Sequence, residues 1–178
     1  GLRVGIPKEF FSSHLNDGVA ATVAAAIKEL EAAGAVIIDV SLPSTDLGVS
    51  TYYVIAPAEA SANLSRYDGV RYGYRCDSPS DLQDLYLRSR TEGFGEEVKR
   101  RILIGTFTLS AASYDQYFMK AQQVRRLIAE EYQSVLKDVD VIAGPSAPNT
   151  AFVLNDDSKS ITDMYMEDVF TIGANLAG

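Results

Sequence analysis

Hydrogen-bonding side chains are concentrated directly after a run of small residues in the first half of the chain. Little side-chain bulk is present in that run, so it can pack closely against another element; its alanines are Ala56, Ala58, Ala60 and Ala62. The polar side chains follow within ten positions and are Asn63, Arg66, Asp68, Arg71 and Tyr72. A polar cluster attached to a close-packed helix is typical of a binding site or a subunit boundary. The alternative is a helix followed by a solvated turn at Asp68-Gly69.

A cysteine nucleophile is the next chemistry to consider, because thiolates react readily when a base lies beside them. Cys76 is the single cysteine, and the only histidine, His14, falls in an unrelated loop. This separation argues against a cysteine nucleophile. One cysteine also cannot form an internal disulfide, which suits a reducing compartment.

Composition indicates an ordinary soluble globular domain rather than a disordered chain. Apolar residues make up 47% of the chain and charged residues 22%. Its length of 178 residues is enough for one domain with a substantial core. No apolar run approaches the roughly 18–20 residues that a membrane span requires, and the start is not signal-like. The formal net charge of −8 predicts poor direct binding of a phosphate backbone. The densest basic stretch, Lys99-Arg100-Arg101, follows Glu96 and Glu97.

The first forty residues predict a right-handed strand–helix–strand unit with parallel strands. Leu2–Ile6 and Ala35–Val40 are short apolar runs ended by prolines, and both are expected to be buried strands. Between them, Asn16 or Asp17 can cap a helix that runs to Ala33. The first turn, Gly5-Ile6-Pro7-Lys8, lacks a glycine-rich phosphate loop, which excludes a nucleotide-binding unit of that kind.

The rest of the chain predicts mostly helices and one further strand. A helix starts at Ser44 or Thr45 and carries Tyr52 and Tyr53; others are expected over Asp81–Ser89, Glu96–Ser110, Tyr114–Lys137 and, interrupted by Gly173, Thr162–Ala177. Val139–Ala143 is the third predicted strand, and Asn149–Ile161 is a predicted loop, acidic at Asp156-Asp157. We therefore expect an α/β fold over residues 1–178: a layered mixed sheet flanked by helices, forming one unit.

Three stretches resemble the amidase-signature enzymes. They are YYVIAPAEASANLSRYDGVRYG at Tyr52–Gly73, EGFGEEVKRRILIGTFTLS at Glu92–Ser110 and TIGANLAG at Thr171–Gly178. Within that family the chain is similar to the A subunits of glutamyl-tRNA(Gln)/aspartyl-tRNA(Asn) amidotransferases, along nearly its whole length. The resemblance implies the α/β amidase-signature fold, here only in part. Gly173 departs from the pattern, since most relatives are expected to have a proline there.

The resemblance also implies where the chemistry lies. The family acts through a serine nucleophile, a second serine in a cis peptide and a lysine, all expected upstream of this segment. Ser12-Ser13 and the serines at Ser110 and Ser113 lack a glycine-rich setting, so no catalytic residue is expected in this chain. For substrate binding, Arg101 matches the residue that holds the α-carboxylate of glutamine, Asp168 the one that faces its α-ammonium group, and Tyr52 a supporting pocket tyrosine. Taken alone, Arg101 and Asp168 would each be assigned to a solvated helix surface.

The same resemblance implies a place in a larger assembly. The intact subunit would hydrolyse glutamine, and the ammonia would pass to a partner that amidates Glu-tRNA(Gln) or Asp-tRNA(Asn) using ATP and Mg²⁺. Subunits B and C are the expected partners; a partner rather than this chain would hold the tRNA, and no cofactor or metal is expected on this chain. The location would be the cytoplasm, or an organelle in a eukaryote. The alternatives are a general small-amide amidase and a non-catalytic binding module. We also expect exposed apolar surface along Tyr52–Ala62 and Val169–Leu176.

Overall fold

The described strands form one three-stranded parallel sheet in the order β2-β1-β3. The computed structural model describes residues 1–12, 15–154 and 160–178. Its strands are β1 (Arg3–Pro7), β2 (Val36–Val40) and β3 (Val141–Ile142), with Arg3 opposite Val36 and Val4 opposite Val141. The α/β class is confirmed. The described strands are all parallel, so an antiparallel member of a mixed sheet is not among them.

Position in the sheet decides how deeply each strand is buried. β1 has a neighbour on both sides, and its residues from Val4 to Pro7 are buried. β2 lies at an edge and is only half-buried, with Val36 49% exposed, so its prediction as a fully buried strand is wrong. β3 is shorter than expected, although Ala143 still donates a backbone hydrogen bond of 2.9 Å to the carbonyl of Gly5.

Seven α-helices occur among the described residues. They are α1 (Asp17–Ala32), α2 (Thr45–Leu64), α3 (Leu82–Gly93), α4 (Glu96–Thr108), α5 (Lys120–Val135), α6 (Ile161–Met166) and α7 (Val169–Ala177). A short 3-10 helix covers Lys8–Phe11, and a π-helix covers Tyr114–Met119. The single helix predicted for Tyr114–Lys137 is therefore two segments with different hydrogen bonding. His14 and the acidic pair Asp156-Asp157 lie outside the described residues, as does Ser13.

Side chains fix where the helices begin. The side-chain oxygen of Asn16 accepts the backbone N–H of Gly18 at 2.9 Å, so Asn16 caps α1 as predicted. Asp81 caps α3 by accepting from the N–H of Asp84 at 2.8 Å. Ahead of α2, the carboxylate of Glu131 on α5 accepts both the N–H and the hydroxyl of Ser44, at 3.0 and 2.6 Å. That long-range contact, which no local pattern announces, holds α2 to α5 where α2 begins.

The chain divides into two compact units. The first comprises Gly1–Tyr52 and Gln123–Gly178, and the second is Tyr53–Gln122. The core of the first unit is a cluster of Phe10, Leu15, Leu42, Val169 and Phe170, in which the rings of Phe10 and Phe170 lie 5.3 Å apart. The prediction that residues 1–178 form a single domain stays a prediction.

The expected exposure of α7 is wrong. Val169, Phe170, Ile172 and Leu176 are all at most 9% exposed, because α7 contributes to the core of the first unit. Gly173 does not interrupt the helix either: it lies inside α7, and a Cβ there would be 2.6 Å from the hydroxyl oxygen of Tyr132. The break falls instead between α6 and α7, at Glu167 and Asp168. In Tyr52–Ala62, the other segment expected to be exposed, Ile55, Pro57 and Ala58 on α2 are buried as well.

Large exposed apolar side chains lie elsewhere. Leu103 on α4 is 71% exposed, and Phe107, one turn further, is 57% exposed. The segment 152–154 is similarly open, with Leu154 83% exposed. In the part of the chain that is described, no helix has the length and apolar character to cross a membrane.

Candidate functional site

Arg101 lies in the second turn of α4 and is held by two neighbours from the same unit. Its Nε donates to Oε1 of Glu97, one turn earlier, at 3.1 Å. Its guanidinium carbon lies 5.9 Å from the centre of the Tyr53 ring, within cation–π range. The side chain is 34% exposed, which is less than an unconstrained surface arginine would show. The guanidinium is therefore an oriented group and not a freely moving one.

Glu97 divides its two carboxylate oxygens between two arginines. Oε2 accepts from Nη1 of Arg100 at 2.7 Å, while Oε1 accepts from Arg101. Lys99 pairs with Glu96, which lies beside Glu97 in the first turn of α4. The hydrogen bond from the Lys99 ammonium group lowers the pKa of the Glu96 carboxyl. The basic stretch at 99–101 is thus compensated within its own helix. Acidic side chains in the first turn are also stabilised by the helix dipole.

Close contact between α2 and α4 places Arg101 near Tyr53. Gly105 lies one turn after Arg101, and Pro57 lies one turn after Tyr53, so each pair shares a helix face. A Cβ on Gly105 would be 2.0 Å from the carbonyl oxygen of Pro57 and 2.6 Å from the hydroxyl of Ser61. Only glycine permits the two backbones to approach this closely, and that approach brings Arg101, on the preceding turn of α4, close to the Tyr53 ring.

Asp168 occupies the N-cap position of α7 in the first unit. Its backbone carbonyl accepts from the N–H groups of Thr171 and Ile172, both at 3.0 Å. The carboxylate makes no capping hydrogen bond, and the residue is exposed. The carboxylate therefore does not cap its own helix, and its predicted role as the ligand of an ammonium group stays a prediction.

Tyr52 is the third predicted substrate residue, and it is half-buried on α2. It belongs with Asp168 to the first unit, whereas Arg101 belongs to the second. The convergence of the three side chains on one substrate therefore stays a prediction. What the structure does bring together is Arg101, Glu97 and Tyr53.

A separate cavity of about 360 Å³ lies in the first unit, beside the segment that follows β3. Its lining includes Phe10, Tyr132, Gly144 and Asn175. Burial, with a smaller contribution from the charge of Glu131, raises the pKa of the Tyr132 phenol. The lining contains neither Asp168 nor Tyr52, so this cavity does not coincide with the predicted substrate residues.

Comparison with known proteins assigns the family. The profile described as "Amidase" matches residues 1–178. This chain belongs to the amidase family. The amidase resemblance carried by Tyr52–Gly73, Glu92–Ser110 and Thr171–Gly178 is therefore confirmed.

Relatives within the amidase family are similar over the whole of this chain. The A subunit of glutamyl-tRNA(Gln) amidotransferase from Saccharophagus degradans is 61% identical over 178 residues, which are 100% of this chain and 37% of that protein. The protein of the same name from Nitrosococcus oceani is 57% identical with the same coverage. The crystal structure of the corresponding A subunit from Thermotoga maritima is 41% identical, with a TM-score of 0.68 over 99% of this chain and 33% of that one. This amidase chain thus spans about 37% of the length of these curated relatives.

The nucleophile candidates of this amidase chain have structural roles where they are described. The hydroxyl of Ser110 donates to the carbonyl of Phe107 at 2.7 Å, at the end of α4. Cys76 is 3% exposed, and its Sγ lies 3.8 Å from the carbonyl of Leu85. Within residues 1–12, 15–154 and 160–178, no group of three or more His, Cys, Asp or Glu side chains is placed to hold a metal ion. The absence of a catalytic serine or lysine stays a prediction.

Sequence reasoning missed Glu97 and Tyr53 as partners of Arg101. Glu97 had a usable signal, because a glutamate four residues before an arginine faces it on a helix. Tyr53 had none, since its proximity to Arg101 depends on the contact between Gly105 and Pro57. Arg100 shares the Glu97 carboxylate with Arg101.

Proposed function

We propose that this chain is the substrate-binding part of a larger polypeptide that hydrolyses glutamine to glutamate and ammonia for a tRNA-dependent amidotransferase. The observation that carries the proposal is identity of 55–61% along all 178 residues to curated proteins named as the A subunits of glutamyl-tRNA(Gln) amidotransferases. Identity at that level over a whole segment preserves side chains as well as fold.

Glutamine recognition is the role proposed for the three predicted residues. Arg101 would bind the α-carboxylate through two parallel hydrogen bonds, for which its planar fork is suited. Asp168 would accept hydrogen bonds from the α-ammonium group, and the Tyr52 hydroxyl would support one of these contacts. The side-chain amide would then face the nucleophilic serine, the second serine and the lysine, which we propose lie in the rest of the longer protein.

Ammonia transfer to a second polypeptide of the complex completes the proposed reaction. Subunits B and C would be the partners, and a partner subunit would amidate misacylated Glu-tRNA(Gln) or Asp-tRNA(Asn) with ATP and Mg²⁺. The net charge of −8 favours a partner, rather than this chain, as the holder of the tRNA. The complex would act in the cytoplasm, or in an organelle of a eukaryote, where aminoacyl-tRNA is used.

A general small-amide amidase is the second candidate, because the family match over residues 1–178 is to amidases in general. The two candidates differ in whether the substrate carries an α-carboxylate and an α-ammonium group. A clamp made of Arg101 and Asp168 is useful only to an amino-acid amide, which favours glutamine.

The test is Arg101→Lys in the full-length protein within its complex, with ammonia release as the assay. Lysine keeps the charge and loses the planar two-point contact, and a lost charge-assisted hydrogen bond costs about 1.5–3 kcal/mol. We therefore expect kcat/KM for glutamine to fall about 10- to 150-fold, chiefly through KM, while hydrolysis of butanamide is unchanged.

Arg126→Lys is the matched control. Arg126 also donates its Nε to a glutamate on its own helix, Glu130, at 2.8 Å, but it is 80% exposed. The Arg126→Lys substitution should leave the hydrolysis of both substrates unaffected. Equal effects of the two substitutions on glutamine would refute the assignment of Arg101, and a wild-type preference for butanamide over glutamine would favour the general amidase.

A further inference from the structure

Arginine can present two different edges to a carboxylate, and Glu97 binds the edge of Arg101 that contains Nε. The side edge consists of Nε and one Nη nitrogen, and the end consists of both Nη nitrogens. The Nε of Arg101 already donates to Oε1 of Glu97 at 3.1 Å. A two-point contact that leaves this hydrogen bond in place must use the end of the guanidinium.

Arg100 keeps the Glu97 carboxylate in place beside Arg101. Arg100 binds the second oxygen of Glu97 at 2.7 Å, so the carboxylate cannot rotate away without losing that partner. Tyr53 lies on one face of the guanidinium, 5.9 Å from ring centre to carbon. With one edge and one face defined, the plane of the guanidinium is set by residues that need not touch substrate.

We propose that Glu97 is a positioning residue for glutamine: it fixes the plane of Arg101 so that the two terminal nitrogens meet the α-carboxylate end-on. This inference rests on the proposed role of Arg101 as the carboxylate ligand. Preorganisation of this kind strengthens binding because the ordering cost is met before substrate arrives. Glu97 therefore acts on affinity for carboxylate-bearing substrates and not on the chemical step.

The experiment compares Glu97→Gln with Glu96→Gln in the full-length protein within its complex. Both residues lie in the first turn of α4, so both substitutions remove one charge from the same end of the helix dipole. Glu96 pairs with Lys99 and not with an arginine proposed to bind substrate. We expect Glu97→Gln to raise KM for glutamine about 3- to 10-fold, in line with one weakened and partly exposed hydrogen bond, with kcat unchanged. Glu96→Gln should change neither parameter.

Two further measurements separate positioning from a general structural role. Hydrolysis of butanamide, which has no α-carboxylate, should be unaffected by Glu97→Gln. In an Arg101→Lys background the same substitution should have no additional effect on KM, because Lys lacks the edge that Glu97 holds. Glu97→Asp provides a second variant: it keeps the charge at the helix start, shortens the reach, and should raise KM similarly with a native melting temperature.

Several outcomes would overturn the inference while leaving the proposed function intact. They are an unchanged KM in Glu97→Gln, an equal loss with butanamide, and a lowered KM, which would make Glu97 a competitor of the substrate for Arg101. A normal KM in Arg101→Lys would instead refute the proposed role of Arg101 as the carboxylate ligand, on which this inference rests.

Discussion

Substituting Gly105 by alanine should destabilise the protein through one contact between two helices. The new Cβ would be 2.0 Å from the carbonyl oxygen of Pro57 and 2.5 Å from its carbonyl carbon. Cβ atoms essentially never approach heavy atoms closer than 3.0 Å, so α2 and α4 must separate by about 1 Å. Both atoms belong to helix backbone and cannot rotate away as a side chain would.

The magnitude follows from two opposing effects. Overpacking of a close contact costs about 1–3 kcal/mol, and rigid backbone on both sides favours the upper half of that range. Alanine in a helix interior returns about 1 kcal/mol relative to glycine. The net expectation is a loss of about 1–2 kcal/mol, which for a chain of this size lowers the melting temperature by about 2–8 °C.

Gly48→Ala is the matched control, measured beside Gly105→Ala by thermal unfolding followed by circular dichroism. Gly48 also lies inside a helix, but a Cβ there would meet only Cγ2 of Ile172 at an ordinary 3.4 Å. It should gain stability from helix propensity alone. If Gly105→Ala raises the melting temperature as Gly48→Ala does, the close approach of the two helices, and the account of how Arg101 reaches Tyr53, are wrong.

Two other perturbations test the first unit. Hydrogen bonds from the Arg3 side chain and backbone lower the pKa of the Asp140 carboxyl, so their stabilisation is present above its unfolded pKa and is lost as pH falls through the folded value. Asp140→Asn should therefore lower the urea midpoint at pH 7, and the difference from wild type should begin to shrink near pH 4 and disappear as the pH falls below the folded pKa; a difference independent of pH would contradict this. Glu131→Gln replaces the partly buried carboxylate that accepts two hydrogen bonds from Ser44 with a neutral amide. The free energy of unfolding in urea should therefore fall by about 1.5–3 kcal/mol. An unchanged midpoint would show that α2 starts without it.

Local patterns were sufficient for the elements whose limits are set by local chemistry. Apolar runs bounded by Pro7 and Pro43 predict β1 and β2, and Asn16 predicts the start of α1. Local patterns failed where a glycine is needed to make room for a residue distant in sequence. Gly173 reads as a helix breaker, but in the structure it makes room for Tyr132 inside α7. The π-helix at Tyr114–Met119 had no sequence signal, because its six residues make little more than one turn and cannot display a distinct apolar period.

The site was predictable in its residue types and not in its geometry. The i, i+4 relation of Glu97 and Arg101 is present in the sequence, whereas the stacking on Tyr53 requires two helices to meet at Gly105. The roles predicted for Arg101, Asp168 and Tyr52 rest on family resemblance, since Arg101 and Asp168 alone are ordinary for a helix surface. The resemblance does not include the groups that orient the arginine, which are Glu97 and Tyr53.

The order of strands in the sheet has a consequence for how the chain folds. β1 pairs with β2 across 33 positions, from Arg3 to Val36, but with β3 across 137, from Val4 to Val141. Closing the longer loop costs about 1 kcal/mol more in chain entropy, and β3 contributes only two residues to the ladder. During synthesis, β1 and β2 can pair early, while the whole of Tyr53–Gln122 must emerge before β3 exists. Until residue 142 is made, the edge of β1 that pairs with β3 lacks this partner, and an unpaired strand edge favours pairing with other chains.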